Sequence, residues 1–320
     1  MAVIGITGGC GYIGGALVQR LHREGAELVL VDNFTGPVST PPEDLPVLRT
    51  DFWSSEALRA LADVDAVAHL GAVSGVMPCA EDPEGTRAVN VRGTAELVEW
   101  CRSRTVPIAF ASSLAVVGVP DRIPVTEDTP PAPTHEYARQ KAEGEQSVLS
   151  LARDGIPGVV LRMSNVYGSY RVGRTRVAKG NVLNVFARQA AAGVLRVNAP
   201  GTQRRDFVHL EDVVACWASA LKSLAEGEAP GDLNRLLVAS GVSRSVTEVA
   251  EAVRAAWTRV RPEERAPRIE VVPNPRGEVE LLDPRFRVDP HRSMSALGLT
   301  PKHNLETDLD AILRTPAPEE

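Results

Sequence analysis

Tyr137-Ala138-Arg139-Gln140-Lys141 sets a phenol and an ammonium four residues apart, hence on one face of a helix. A tyrosine with its reference pKa of about 10 is a poor base at neutral pH. A neighbouring ammonium favours the phenolate and poises it to take a proton from an alcohol. Ser112 and Ser113 end an apolar run upstream, and a hydroxyl there can hydrogen-bond the reacting oxygen. Near the N-terminus a second apolar run flows into Gly8-Gly9-Cys10-Gly11-Tyr12-Ile13-Gly14. Glycines in a strand-to-helix turn permit tight turning, close approach of backbone N–H groups to phosphate, and close helix–sheet packing. Asp32 follows about 20 residues on, where a carboxylate accepts both adenosine ribose hydroxyls and repels a 2′-phosphate. No arginine immediately follows it, so NAD is favoured over NADP. Singly, each feature has a plainer reading: an exposed Tyr–Lys pair, a tight turn, a turn aspartate in Asp32-Asn33. In this order they point to redox chemistry on an alcohol with NAD as hydride acceptor.

The elements that must position these groups follow from periodicity. Strands are predicted at residues 3–7, 27–31, 66–70, 107–112 and 158–163, with residues 50–52 near another strand edge. Helices are predicted at 12–25, at 54–62 from a Ser54 cap, at 85–104, and at 135–153 after a Pro-rich loop. This alternation implies a parallel sheet with helices on both faces. Ser112 and Ser113 then lie at the carboxyl edge, where α/β sheets place ligands. After residue 168, loops rich in Arg, Gly and Asn surround a helix at 182–192. A strand at 236–239 returns to the sheet, and a helix spans 246–260. The domain reading is 1–168 for the cofactor, with a return near 235–260. Residues 169–234 and 261–314 form an interleaved substrate lobe, and 315–320 a tail.

With 320 residues, 43% apolar and 24% charged, the chain can bury a large core of ordinary globular composition. A net charge of −6 offers no attraction to nucleic acid or an anionic membrane. Arg171, Arg174 and Arg176, and Arg204 with Arg205, leave room for a small anionic ligand. Only four lysines occur, which argues against Lys141 as filler. Cys10, Cys79, Cys101 and Cys216 lack metal or redox spacing and read as free thiols in a reducing compartment. With no secretion signal or membrane-length apolar run, a cytoplasmic protein is expected.

The chain resembles the extended short-chain dehydrogenases/reductases, in their nucleotide-sugar epimerase/dehydratase branch of UDP-glucose 4-epimerase type. The resemblance rests on Thr7 to Gly14, Val31-Asp32-Asn33, Asp51-Phe52, His69-Leu70-Gly71-Ala72, Asn90 to Thr94, Ala111-Ser112-Ser113, Tyr137 to Lys141, Leu161 to Gly168, and Arg205 to His209. It implies a Rossmann-type doubly wound parallel sheet carrying a smaller C-terminal α/β substrate lobe. It further implies that Tyr12, Ile13 and the glycine turn line the cofactor. Asp51 and Phe52 would meet the adenine, with Asn33, Phe34, Thr35 and Gly36 continuing from Asp32. Leu70, Gly71 and Ala72 would flank pyrophosphate and ribose, and Asn90 would approach from the next strand. Ser112, Ser164 and Val166 complete the implied NAD set, and Lys141 would also bind the nicotinamide ribose. The implied substrate set is Ser113, Asn165, Asn181, Val182, Val197, Arg205 and Arg276. The plainer alternatives are a surface ion pair for Arg205 beside Asp206 and a helix cap for Asn181, and His209 is read as structural and not catalytic.

Several positions depart from the family pattern. Val116-Val117-Gly118 replaces Val-Tyr-Gly after the serine. Leu114 and Ala115 stand where dehydratases carry an Asp-Glu pair, which demotes a dehydratase. The C-terminal arginine element is one residue short at Arg276-Gly277-Glu278. The reading is an NAD-dependent epimerase of a nucleotide-diphosphate sugar, first a UDP-sugar, acting at C4 through a transient 4-keto form. Alternatives are a net dehydrogenase or reductase, a dehydratase or a decarboxylase on the same fold, or a catalytically silent NAD sensor. No metal is expected. By analogy, the helices near 85–104 and 135–153 would form a homodimer interface.

Overall fold

The computed structural model describes residues 2–36, 45–274 and 284–314. Strands β1 (Val3–Thr7), β2 (Glu27–Asp32), β3 (Val47–Arg49), β4 (Ala66–His69), β5 (Ile108–Ser113) and β6 (Gly158–Met163) alternate with helices. These are α1 (Tyr12–Arg23), α2 (Ser55–Ala60), α3 (Val76–Glu81), α4 (Pro83–Arg87), α5 (Thr94–Arg104) and α6 (Glu136–Leu149). Then follow β7 (Asn165–Tyr167), β8 (Ser169–Val172), β9 (Thr175–Ala178), α7 (Val182–Ala191), β10 (Val194–Asn198), β11 (Arg204–His209) and α8 (Leu210–Ala225). The chain continues through β12 (Arg235–Val238), β13 (Ser243–Ser245), α9 (Val246–Val260), β14 (Arg268–Val272), α10 (His291–Ala296) and α11 (Leu305–Arg314).

The central sheet runs β12-β6-β5-β4-β1-β2-β3, all parallel. Strand order reverses between β1 and β4, opening a crevice at their carboxyl ends where such folds bind ligands. Every residue of β4 and β6 is buried, as expected for parallel strands covered on both faces. Ser54 caps α2 as predicted, accepting from the Ala57 N–H at 3.1 Å. Ser245 and Glu248 form a reciprocal capping box at α9, which satisfies two backbone donors at once.

The structure revises several expectations. The helix expected at 85–104 begins at Pro83, capped by Asp82, and passes through a π-helical turn at Ala88–Gly93. The domain boundaries shift too. Helix α8, expected within the lobe, packs Val213, Trp217 and Leu221 into the sheet core. Helix α10 likewise contributes Met294 to that core. Helix α9, expected with the returning strand, instead buries Val249, Val253 and Trp257 in a second core with α7, β10 and α11. In each case contacts distant along the chain, and not the helix's place in it, settle which core its apolar stripe joins.

One polar cluster fastens α6 to the sheet. Arg162 on β6 is fully buried and donates to both Glu145 carboxylate oxygens on α6, at 2.9 and 2.7 Å. Its remaining arm reaches the Thr129 carbonyl at 2.7 Å. Ser112, paired in register with Arg162, donates to Glu145 at 2.5 Å. Arg162→Met would leave a buried carboxylate unpaired, at a cost of about 3–5 kcal/mol of unfolding free energy. Urea denaturation should show that loss, and Arg162→Met/Glu145→Leu should recover much of it. A single variant unfolding at the wild-type midpoint would contradict the assignment.

Candidate active site

The glycine turn is sterically obligatory. Gly8 has φ +71°, and a Cβ there would lie 2.6 Å from Gly71 N. A Cβ on Gly14 would stand 2.0 Å from the Gly8 carbonyl oxygen. Gly11 caps α1 without any side-chain hydrogen bond, so the first-turn N–H groups stay open to an anion. Asp32 is buried and holds this turn: its oxygens accept from Cys10 N at 2.9 Å and Phe34 N at 2.8 Å. Each oxygen keeps a further lone pair for a ligand hydroxyl. The residues present therefore fit a dinucleotide.

The neighbouring positions converge on the same crevice. Asn33 donates to Asp51 at 2.8 Å and accepts from Thr35. Phe34 takes a positive φ of 59°, its ring 5.1 Å from the Arg49 guanidinium. Gly36 closes the described part of that loop. Phe52 packs its buried ring against His69 at 4.6 Å, and a Cβ on Gly71 would strike it. Leu70 N and Gly71 N are tied to Thr7, and Ala72 follows, half-buried. Ile13 packs on the sheet core, while Tyr12 donates to the Gly168 carbonyl at 2.9 Å.

At the end of β5, Ser113 accepts from Ala115 N at 3.2 Å. Tyr137 sits in the first turn of α6, whose cap is His135, accepting from Ala138 N. The two rings stack with centroids 6.2 Å apart and planes 4° from parallel. Lys141 lies one turn on, as its spacing predicted. Its ammonium, however, donates to the Ala111 carbonyl at 2.8 Å and rides 4.9 Å over the Phe110 ring. Burial lowers Lys141 to about 8. Burial pushes the Tyr137 phenol upward, opposed by hydrogen bonds with Ser74 and Ser113. The Lys141 charge is thus directed at the backbone of β5.

Other predicted residues are placed differently. Asn90 stands in the π-helical turn and not on a strand. Its carboxamide clamps the Val73 backbone at 2.8 and 2.9 Å and reaches Gln140 at 2.7 Å. The Ser112 hydroxyl turns away to Glu145. Val197 is fully buried in the second core and offers no side-chain surface to a substrate. Asn181 caps α7 through Asn184 N at 3.0 Å and donates to the Val166 carbonyl at 3.1 Å, with half-buried Val182 beginning the helix. Asn165 donates to the Asp206 carbonyl at 2.9 Å. Ser164 N joins β6 to β12 through the Val238 carbonyl. Asp206 is buried and bonded to Ser240, so it is no surface ion pair; Arg205 donates to the Arg204 carbonyl. Arg276 and the 315–320 tail lie outside the described residues. All four cysteines are free and buried.

Sequence reasoning missed Ser74, five residues past the β4 run, and Lys179, which donates to it at 3.4 Å. It also missed Tyr170, whose hydroxyl meets the Gly11 carbonyl at 3.3 Å and pins the arginine-rich β8–β9 hairpin to α1. Away from this crevice, His209, His303 and Asp308 cluster. The two rings stack at 3.7 Å and 18°, so their in-plane lone pairs run side by side and do not converge on one ion. His209 instead caps α8, the structural role expected of it.

The model of the NAD dependent epimerase/dehydratase family matches residues 4–234. A UDP-glucose 4-epimerase of Streptococcus mutans is 31% identical over 288 residues, covering 84% of this chain and 85% of that protein. One from Corynebacterium glutamicum is 28% identical over 323 residues, covering 96% and 92%. Among solved structures, the UDP-glucose 4-epimerase of Thermus thermophilus in complex with NAD superposes with a TM-score of 0.79 at 27% identity, covering 98% of both chains. The NAD-dependent NDP-hexosamine 5,6-dehydratase TunA gives a TM-score of 0.79 at 27% identity, covering 95% and 94%.

His69, buried beneath the site, bonds Thr7 at 2.7 Å and Thr94 at 3.0 Å. Burial, aided by Lys141, lowers it from 6.5 to about 3. Below pH 6.5 the unfolded chain takes a proton that the native state refuses, so stability falls as pH drops from 6.5 towards 3. The slope approaches about 1.4 kcal/mol per pH unit for this group alone. Urea denaturation between about pH 6.5 and 5, above the carboxylate range, should show a steeper loss in wild type than in His69→Asn. Equal slopes would contradict a neutral buried His69.

Proposed function

The chain belongs to the NAD dependent epimerase/dehydratase family, and from that we propose that it is an NAD-dependent 4-epimerase of a UDP-sugar. The observation that carries this reading is Tyr137 one turn before Lys141 on a helix clamped by Glu145 and Arg162 to the sheet, with Ser113 ending β5 close enough to bear on its phenol. NAD, when bound, would supply a hydride acceptor and donor for chemistry at a sugar carbon. The glycine turn and the open N-terminus of α1 hold its pyrophosphate, and Asp32 its adenosine ribose. Tyr137 takes the proton of the C4 hydroxyl and later returns it to the same oxygen. Ser113 steadies the charge on that oxygen. Lys141, anchored on Ala111, is positioned for the nicotinamide ribose.

Epimerisation is favoured over 4,6-dehydration by the residues after Ser113. Leu114 is buried and Ala115 carries no acid or base, so no carboxylate stands there to remove a second proton from the sugar ring. Asn165, Val182 and Arg205 are the residues read as facing the nucleotide. The guanidinium fork of Arg205 suits two phosphate oxygens. Among the described residues no helix is long and apolar enough to cross a membrane, which accords with a cytoplasmic enzyme. We read the exposed faces of α5 and α6 as a homodimer interface.

A panel of UDP-, GDP-, dTDP- and CDP-sugars, with products resolved by NMR, tests the proposal. A UDP-sugar is expected to be interconverted with its C4 epimer without net NADH formation. Tyr137→Phe is expected to lower kcat by about 10²–10⁴-fold while bound NAD is retained. Full turnover by that variant, or stoichiometric NADH from the wild type, would overturn the reading.

A further inference from the structure

Two tyrosines cross between the cofactor turn and the arginine-rich hairpin. Tyr12, which begins α1, donates to the Gly168 carbonyl just before β8 at 2.9 Å. Tyr170 on β8 donates in return to the carbonyl of Gly11, the residue that caps α1, at 3.3 Å. Gln19 adds a bond to the Arg171 carbonyl at 2.6 Å. The seat for Tyr170 is made by a missing side chain: a Cβ on Gly15 would lie 2.1 Å from its hydroxyl oxygen. At the other end of the hairpin, just past β9, Lys179 donates to Ser74 in the loop after β4 at 3.4 Å. Helix α1 follows β1 and the Ser74 loop follows β4. The hairpin is thus tied to both walls of the crevice where strand order reverses.

The Tyr170 bond bears on anion binding through the peptide it touches. The Gly11 carbonyl and the Tyr12 N–H belong to one planar trans unit and point opposite ways. A hydroxyl that fixes that oxygen therefore fixes the Tyr12 N–H, one of the first-turn donors that a helix leaves open to an anion. The Gly15 N–H donates to the same oxygen at 2.8 Å, and Tyr170 takes its second lone pair. Charge acts in the same place. Tyr170, Val172 and Val177 pack on the sheet core, while Arg171 and Arg176, opposite each other in register, lie on the other face by strand alternation. An empty helix N-terminus carries about half a positive charge and opposes those guanidiniums. A dianionic pyrophosphate bound there attracts both.

We propose that the β8–β9 hairpin is a clasp over the dinucleotide, locked by Tyr170 on Gly15 and by Tyr12 in return, so that NAD leaves only when the hairpin lifts. The inference rests on NAD occupying the glycine turn, and not on which sugar or carbon the enzyme acts on. Tyr170 is a positioning residue that acts through the Gly11–Tyr12 peptide. A retained cofactor suits a reaction in which hydride goes out and comes back, since NADH lost in mid-cycle would strand the oxidised sugar.

Two rates measured on the NAD-loaded protein, with no sugar present, test the clasp. One is exchange of bound NAD for isotope-labelled NAD, read by mass spectrometry. The other is limited tryptic cutting of the hairpin, where Arg171 and Arg174 are exposed. Tyr170→Phe keeps the ring and removes only the hydroxyl. It is expected to speed exchange by about 2–10-fold, the worth of one neutral hydrogen bond, and to speed hairpin cutting by a matching factor. Cutting elsewhere should keep its wild-type rate, which separates a lifted hairpin from a general loosening. Gly15→Ala, whose new methyl group displaces the Tyr170 hydroxyl, should speed both rates at least as much. In the Tyr170→Phe background it should add little, because the two changes remove one contact. Wild-type exchange in Tyr170→Phe overturns the proposal, as does faster exchange with hairpin cutting unchanged. If the wild type holds no NAD at all, the reading of the glycine turn fails, and the clasp with it.

Discussion

The buried bond between Glu145 and Arg162 fixes where the chemistry can happen. Helix α6 carries the phenol and the ammonium, and β5 ends in the serines that must meet them. Helix and strand face each other only if the helix neither slides nor rotates on the sheet. A bidentate ion pair is sensitive to both motions, because its two parallel hydrogen bonds require the guanidinium and carboxylate to be coplanar. Ser112 shares the same carboxylate, so the strand end is tied into the bond directly. The next residue, Ser113, ends the strand near Tyr137 on the first turn of the same helix.

A second polar network does comparable work above the sheet. Asn90, in its π-helical turn, reads both backbone groups of Val73 and reaches across to Gln140 on α6. π-turns recur at functional sites, and here the irregularity delivers one carboxamide to two elements at once. Its consequence is that the loop bearing Gly71, Ala72 and Ser74 is tied through Asn90 to α6. The loop of the cofactor crevice and the helix bearing the phenol are therefore held by two buried hydrogen-bond networks, both anchored on α6.

Much of this is legible in the sequence because the signals are local. The strands β1, β4, β5 and β6 are short apolar runs, and the Gly8 to Gly14 turn and the Tyr137–Lys141 spacing depend on neighbours in the chain. The doubly wound sheet follows from their alternation, and its return strand β12 is readable in the same way. What the sequence misplaces depends on contacts distant along the chain. Helices α8 and α9 carry comparable apolar stripes, and nothing local says which core each will join. Val197 in a substrate set and Asn90 on a strand come from family positions, and packing overrides both. The direction of the Lys141 ammonium is set by the Ala111 carbonyl thirty residues upstream. Lys179 could be brought to Ser74 only by the fold, since 105 residues separate them.

The central claim is that one phenol gives and takes the same proton while the C4 hydrogen of the sugar leaves and returns within one closed site. Turnover of a UDP-sugar carrying deuterium at C4, followed by NMR in ordinary water, tests it most directly. The label is expected to remain at C4 in both epimers through many turnovers. Its loss to solvent, or its accumulation on free cofactor, would contradict the account.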